Sequence, residues 1–232
     1  MDFFCLFNEA YIQHRRPREF KERINFSYDH ADFVQRFRLS QETVHYLEER
    51  IGHHLQRNSN RNHALTPSQQ ILTSLRFLAT NGFYHLIRDS HGPSESSVCV
   101  VLKDFVRVVN ENLFDEVVRW PENCVEFSND FFNMHGIPSV CGLIDGTLIR
   151  IKKPSEHEEN FVDRHGNHSI NAMLVSGPQH QFVYCNSSWL GSVNDARALR
   201  NSSLSRKFNN NYRPFPGAII LGDSIYLWHS VQ

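Results

Sequence analysis

Residues 140–151 read VCGLIDGTLIRI, an apolar run interrupted by a single acid, Asp145. A second run, residues 218–223, reads AIILGD and ends on Asp223. Short apolar runs rich in β-branched residues predict buried strands. A carboxylate in or just after such a strand is costly to desolvate unless a partner offsets its charge. Hard cations such as Mg²⁺ are bound by a few carboxylates together with substrate phosphate oxygens, so both aspartates are candidate metal ligands.

A third acid, Asp195, stands in the segment LGSVNDAR and directly precedes residues 196–204, which the pattern predicts to be a helix. An aspartate at this place can bind a metal, or it can cap the helix by accepting backbone N–H groups and interacting with the helix dipole. Both interpretations stay open. For Asp145 and Asp223 the alternative to metal binding is a turn-capping role beside the residue that follows each.

The second half of the chain changes from helical to strand-like periodicity at residue 140. The pattern predicts strands, a helix and a last strand at residues 140–151, 170–176, 182–187, 196–204 and 218–223. A turn with Gly177 and Pro178 joins the second strand to the third. Three meandering strands, a helix and a further strand is the order in which an RNase H-like sheet begins. Phosphodiester hydrolysis on such a sheet requires clustered carboxylates that hold two metal ions.

The first half is helical and charged, with predicted helices at residues 32–39, 41–51, 66–80, 83–89 and 95–112. Ser40, Thr66 and Ser94 are candidate N-caps, and Thr66 starts a Thr-Pro-Ser-Gln capping box. In the last helix an apolar stripe is predicted from Val98, Val101, Leu102, Phe105 and Val109.

Residues 66–112 therefore predict a helix-turn-helix-like unit. In such a unit the last helix presents its exposed residues to the DNA major groove. The candidates here are Glu95, Ser96, Ser97, Lys103 and Arg107. The alternative is an ordinary three-helix packing unit, and the acids near this face leave both readings open.

Composition limits the class of protein. The 232 residues are 40% hydrophobic with a formal net charge of −1, so no global basic field indicates nucleic acid. The five cysteines form no CxxC pair, which favours reduced thiols in an intracellular protein over a disulfide framework or a zinc site. The N-terminus does not predict a signal peptide, and no apolar run is long enough for a membrane span. The only basic cluster that could direct nuclear entry is HRRPREFKER, residues 14–23.

Three ordered blocks resemble the DDE endonucleases of the PIF/Harbinger transposases, including a transposase-derived nuclease. The blocks are CGLIDGTLIRIKKPSEHEENFVDRHGNHSINAMLVSG (residues 141–177), NSSWLGSVNDARALRNSSL (186–204) and GAIILGDSIY (217–226). The resemblance implies an α/β protein in which a helical, helix-turn-helix-like region (1–135) precedes a truncated RNase H-like mixed-sheet core (136–232). It also implies a DNA endonuclease in the nucleus that uses Mg²⁺ or Mn²⁺, with a Myb-like DNA-binding protein as a partner.

The resemblance assigns roles to particular residues. It implies that Asp145 and Asp223 are the first two members of the catalytic triad and that Asp195 is a further metal ligand. Basic residues that flank the acids in sequence could neutralise DNA phosphates, or each could be an ordinary solvated charge; they are Lys152, Lys153, Arg164, Arg197 and Arg200.

The family's third triad member is a glutamate farther along the chain, and no glutamate follows Asp223 up to Gln232. Two expectations follow. The chain is either an incomplete divalent-metal-dependent nuclease or a non-catalytic DNA-binding or protein-interaction product of the same ancestry.

Overall fold

A computed structural model describes residues 23–59, 63–80, 82–223 and 226. The basic cluster at residues 14–23 lies outside this part, apart from Arg23. The chain divides into two compact units, Met1–Leu113 and Phe114–Gln232. The described elements up to His135 are helices, and the strands follow from Val140.

The first unit consists of helices α1 to α5, with a 3₁₀ turn at Gly52–Leu55 after α2. Their bounds are His30–Phe37 (α1), Gln41–Ile51 (α2), Pro67–Thr80 (α3), Tyr84–His91 (α4) and Glu95–Asn112 (α5). The predicted caps are confirmed: Ser40 accepts the backbone N–H of Thr43, and Ser94 accepts that of Ser97. Thr66 and Gln69 exchange side-chain and backbone hydrogen bonds at 3.2 Å, which completes the predicted capping box.

The buried stripe of α5 differs in part from the prediction. Val98, Val101, Phe105 and Val108 are buried, whereas Leu102 is half-buried. The spacing of the buried set is three, four and three residues, so these side chains lie over one another on one face of the helix. Leu102 lies one position beside that face. Leu78 of α3 follows the buried Ile71 and Leu75 at helical spacing, yet it is 54% exposed.

The second unit is a sheet with helices. Its elements are α6 (Phe114–Val117), α7 (Cys124–His135), β1 (Val140–Arg150), β2 (Ser169–Ser176), β3 (Phe182–Leu190), α8 (Asp195–Arg200), α9 (Ser203–Asn209) and β4 (Ile219–Leu221). A 3₁₀ turn at Glu158–Phe161 lies between β1 and β2. The strand order is β3-β2-β1-β4; β1, β2 and β3 are antiparallel neighbours, and β4 is parallel to β1. This is the mixed sheet that the fold prediction required.

Helix α7 was not predicted as a separate element. Asn123 caps its first turn, and Gly136 ends it in the left-handed conformation at φ 70°. Phe127 and Phe131, one turn apart, are buried in the same core cluster as Val140 and Val175 of the sheet. Helix α7 therefore covers part of the sheet, although the sequence pattern alone suggested only a connecting segment there.

The predicted helix over residues 196–204 is two shorter helices. Ser202 interrupts it, because its hydroxyl accepts the backbone N–H of Ser205 and so caps α9. Strand β3 runs to Leu190, three residues beyond the prediction, because Trp189 and Leu190 pair with β2. In the described part of the chain, no helix is both long and apolar enough to cross a bilayer.

Candidate functional site

The register of β1 with the edge strand β4 relates the two strand-associated aspartates. Leu143 of β1 pairs with Leu221 of β4 in the parallel direction, and this is the last pair of the two strands. Asp145 comes two residues later within β1, and Asp223 comes two residues after Leu221, just beyond the end of β4. The backbone of Gly222 lies against the Ile144 side chain, since a Cβ built there would stand 2.6 Å from the Ile144 Cγ2 atom. Asp223 therefore follows the end of β4 in the direction in which β1 continues to Asp145.

Side-chain alternation along β1 directs Asp145 away from the core. Ile144 is buried, whereas Leu143 and Asp145 are exposed on the other face of the sheet. One carboxylate oxygen of Asp145 accepts the backbone N–H of Gly146 at 2.8 Å. Asp223 is exposed as well. Both carboxylates are thus accessible to a ligand from solvent.

Asp195, the third candidate, is held from the opposite side of β1. It is the first residue of α8, and the helix cap is its neighbour Asn194, which accepts the N–H of Arg197. The Asp195 Oδ1 atom instead accepts a hydrogen bond from the Asn171 side chain at 2.8 Å. A Cβ added to Gly146 would lie 2.2 Å from that same oxygen, so the glycine leaves room for the carboxylate against β1.

Asn171 of β2 is the residue that fixes Asp195. It is 2% exposed, and its amide donates both to Asp195 and to the Val193 carbonyl, each at 2.8 Å. Its own Oδ1 atom is buried and has no hydrogen-bond donor among the described residues. Sequence reasoning did not single out Asn171; its place one residue into a strand-like block offered no signal of a polar, buried role.

All three aspartates act electrostatically on the hydroxyl of Tyr226. Tyr226 is 8% exposed, and its hydroxyl is buried without a hydrogen-bond partner in the described part of the chain. Burial raises the pKa of Tyr226 well above its ordinary value, and the charges of Asp195, Asp145 and Asp223 raise it further. The hydroxyl also lies close to Gly146, 2.9 Å from a Cβ built there. It therefore stays protonated among acids.

The oxygen donors present suit a hard divalent cation better than a zinc site. Among the described residues no three His, Cys, Asp or Glu side chains are already grouped to hold a metal ion. Mg²⁺ is commonly bound through one or two carboxylates, several waters and substrate phosphates, so a pair such as Asp145 and Asp223 fits its chemistry. His168, a nitrogen donor in the neighbouring loop, is instead engaged with Glu158 at 2.8 Å.

A cleft of about 410 Å³ opens on the Asp195 side of the sheet. Its charged and polar lining comes from the end of β1, the loop before β2 and the start of α8, namely Arg150, Asp163, Arg164, His165, Asn167, Asn171, Ser192, Asn194 and Asp195. Arg164, one of the predicted DNA-binding residues, thus borders the same cleft as Asp195. Two exposed guanidinium groups beside a carboxylate suit a phosphate-bearing ligand.

The loop that presents Arg164 is built on Asp163. The Asp163 Oδ1 atom accepts the backbone N–H groups of His165 at 2.8 Å and Asn167 at 3.0 Å. Although burial alone raises the pKa of Asp163, these N–H groups and the Ser169 hydroxyl hold the pKa below its usual value. Gly166 completes the turn at φ 75°. These hydrogen bonds fix the loop, and the loop places the exposed Arg164 side chain at the cleft.

The other predicted basic residues lie elsewhere. Lys152 and Lys153 follow β1 and are exposed, and Lys153 forms an ion pair with Glu158. Arg197 and Arg200 are exposed on α8 and do not line the cleft. The structure therefore brings Arg164 to the Asp195 cleft, together with Arg150, which the sequence did not single out.

Comparisons with known proteins identify related sequences. Residues 144–231 match the family described as DDE superfamily endonuclease. The protein named "Putative nuclease HARBI1" is 30% identical in Bos taurus over 79% of this chain and 52% of its own length. The Rattus norvegicus protein of that name is 28% identical over 81% of this chain and 54% of its own.

A plant relative extends the comparison. "Protein ALP1-like" of Arabidopsis thaliana is 28% identical over 60% of this chain and 35% of its own length. The chain spans about half the length of the HARBI1 proteins that it matches. No solved structure matches it.

Proposed function

We propose that this chain acts as a divalent-metal-dependent DNA endonuclease. Its relation to the Harbinger transposase-derived nucleases and its DDE endonuclease match over residues 144–231 support the proposal. The observation that carries the proposal is the parallel pairing of β1 with β4, whose last pair, Leu143 with Leu221, comes two residues before each aspartate. Adjacent strands lie about 4.8 Å apart, so two carboxylates at one level are close enough to share a cation site.

In this proposal Asp145 and Asp223 are the catalytic carboxylates and hold Mg²⁺ or Mn²⁺, with Asp195 as a further ligand. The cation would activate the attacking water and stabilise the leaving oxygen of the phosphodiester. Asn171 orients Asp195 by donating to it. Tyr226 contributes a neutral hydroxyl between the acids, because its raised pKa keeps the proton in place.

The proposed DNA-binding residues are Lys152, Lys153, Arg164 and Arg197. Guanidinium and ammonium groups contact backbone phosphates with little regard to base sequence, so they position the strand rather than select it. Arg164 has the strongest support of the four, since it borders the Asp195 cleft beside Arg150. A Myb-like protein that delivers the chain to DNA, and a nuclear location, are further parts of the proposal that rest on the family resemblance alone.

A non-catalytic DNA-binding or protein-interaction role is the second candidate. The observation that favours it is the lack of a preformed three-acid cluster in the described residues. Asp195 lies on the other side of β1 from the exposed Asp145. The family resemblance also implies a third triad member, a glutamate, that no position after Asp223 supplies within these 232 residues. We therefore expect residues 1–232 alone to bind metal weakly and to cleave slowly.

Nicking of a supercoiled plasmid is the decisive measurement, because a single cut changes its mobility and slow cleavage is still detected. We expect nicking by residues 1–232 with Mn²⁺ or Mg²⁺, lost with EDTA and reduced at least tenfold in Asp145→Asn and Asp223→Asn. Asp115→Asn, which changes an exposed acid of α6, is the matched control and should nick as the parent does.

Two results would contradict the nuclease proposal. Equal metal-dependent nicking by the parent and by Asp145→Asn would place the active carboxylates elsewhere. DNA binding with no nicking at any metal concentration, together with no binding of Mn²⁺ measured by electron paramagnetic resonance, would leave the non-catalytic role.

A further inference from the structure

The helical unit contains a small polar cleft that the nuclease proposal does not use. Its volume is about 200 Å³, which suits a small ion rather than a drug-sized molecule. Its lining comes from the segment before α1 and from the end of α4, and consists of Arg23, Ile24, Asn25, Ser27, Tyr28, Ser90 and His91. All of these residues lie within the first compact unit.

Three buried nitrogen atoms, two on lining residues and one on a residue that stacks on the lining, have no hydrogen-bond partner among the described residues. They are Nη1 of Arg23, Nε of Arg36 and Nε2 of His91. Arg23 and His91 line the cleft directly, and the guanidinium of Arg36 stacks on Tyr28, another lining residue, 4.8 Å from the ring centroid. Buried donors are nearly always satisfied in native proteins, so three at one place indicate a missing group that accepts hydrogen bonds.

Positive charge accumulates around the same cleft. Arg76 of α3 donates to the backbone carbonyl of Arg36 at 3.1 Å, which fixes both guanidinium-bearing chains near His91. The described acids beside the cleft reach solvent: Asp32 is half exposed and 3.9 Å from Arg36, and the exposed Asp29 and Asp89 adjoin lining residues. These solvated carboxylates leave the buried nitrogens of Arg23 and Arg36 without an acceptor, so the missing group should be an anion.

The state of His91 agrees with uncompensated positive charge. The residue is 6% exposed, and burial together with the charges of Arg76 and Arg36 lowers its pKa to about 4. A neutral imidazole still has one N–H. An anion at the cleft would accept a hydrogen bond from that N–H and also offset the two arginine charges.

We propose that this cleft binds a phosphate-type oxyanion through Arg23, Arg36 and His91. A tetrahedral oxyanion offers several acceptor oxygens at once, and guanidinium forks match its geometry. The phosphate can be that of a nucleic-acid backbone or a free one, since both present the same oxygens. This site lies in the helical unit and is independent of whether the sheet unit cleaves DNA.

Inorganic phosphate added to residues 1–232 is the first probe. We expect saturable binding by isothermal titration calorimetry and a shift of the His91 imidazole resonances in the same titration. Arg23→Gln and Arg36→Gln should each weaken binding about tenfold or more. Arg119→Gln is the matched control, because Arg119 is exposed and belongs to the other compact unit; it should change the affinity less than twofold.

A second arm identifies the source of the phosphate. If inorganic phosphate competes with a short DNA duplex, and Arg36→Gln weakens the duplex as well, the nucleic-acid backbone is the occupant. If duplex binding is unchanged by Arg36→Gln while phosphate binding is lost, free phosphate is the occupant. Both results support the oxyanion site. Absence of phosphate binding to the unmodified chain, which needs no variant to fold, would overturn it, as would binding that Arg23→Gln and Arg36→Gln leave unchanged.

Discussion

At the scale of single residues, the candidate site depends on buried polar groups that lie next to its acids. Asn171 satisfies the Asp195 carboxylate and the Val193 carbonyl with one amide. Tyr226 keeps a hydroxyl among three acids at the cost of leaving it without a described partner. Removing a buried donor leaves the acceptors to which it is bonded without a partner. The resulting loss of folding free energy is larger than the contribution of the hydrogen bond itself.

Asn171→Ala is therefore expected to destabilise the sheet unit by about 1–3 kcal/mol, since it leaves two partly buried acceptors unsatisfied. Urea unfolding followed by tryptophan fluorescence measures this, because all three tryptophans follow residue 113. Asn209→Ala, an exposed position of α9, is the control and should stay within about 0.5 kcal/mol of the parent. Equal losses in both variants would show that Asn171 is not a buried anchor.

His91 makes the stability of the helical unit sensitive to acid. Its pKa is lowered to about 4 in the folded protein, so between pH 6.5 and 4 the unfolded chain binds the proton and the folded chain does not. Stability present above pH 6.5 is consequently lost as the pH falls towards 4. The charged groups that act on His91 are Arg76 and Arg36.

Thermal melting followed by far-ultraviolet circular dichroism should show this loss on going from pH 7 to pH 4.5. His91→Gln should flatten the dependence, and His54→Gln, an exposed histidine, should not. A pH profile that His91→Gln leaves unchanged would assign the acid sensitivity to other groups.

At the scale of elements, the face of α5 decides how the helical unit packs. The buried set Val98, Val101, Phe105 and Val108 forms one stripe, and Leu102 lies beside it. Burial of a full aromatic side chain stabilises more than partial burial of a leucine, because more apolar area leaves water. The two positions can therefore be separated by substitution.

Phe105→Ala should cost about 3–5 kcal/mol, the range for a large side chain removed from a packed core. Leu102→Ala should cost less than half of that, although the sequence pattern placed Leu102 in the buried stripe. Loss of helical circular dichroism on urea titration measures both. Equal costs would show that Leu102 is as fully packed as Phe105.

At the scale of the whole molecule, the two compact units carry the two proposed ligand sites separately. The acids and Tyr226 lie in the second unit, and the arginine-lined cleft lies in the first. A ligand that binds only the folded form raises the stability of the part that it binds. Each ligand should then act on a different unfolding transition.

Mn²⁺ should raise the tryptophan-detected melting temperature of the second unit in proportion to the logarithm of its concentration once the site is saturated. Asp145→Asn should remove this shift, and the exposed control Asp115→Asn should keep it. A shift with Mn²⁺ that survives in Asp145→Asn would place the cation at other residues.

The sequence by itself determined the elements and the acids. The apolar run VCGLIDGTLIRI predicted β1, the caps at Ser40, Thr66 and Ser94 marked helix starts, and the ordered blocks carried the resemblance to the DDE endonucleases, whose family model matches residues 144–231. These features are local, because a strand, a cap or a motif depends on residues close in the chain.

Only the tertiary structure decided which distant groups meet. The parallel pairing of β1 with β4 brought together the two strands near which Asp145 and Asp223 lie, about eighty positions apart in the chain. The fold also placed Asn171 under Asp195, brought Tyr226 to Gly146, and left Leu102 off the core of α5. The burial of a side chain and its hydrogen-bond partners depend on residues of other elements that pack against it. A single sequence contains no direct signal of those contacts.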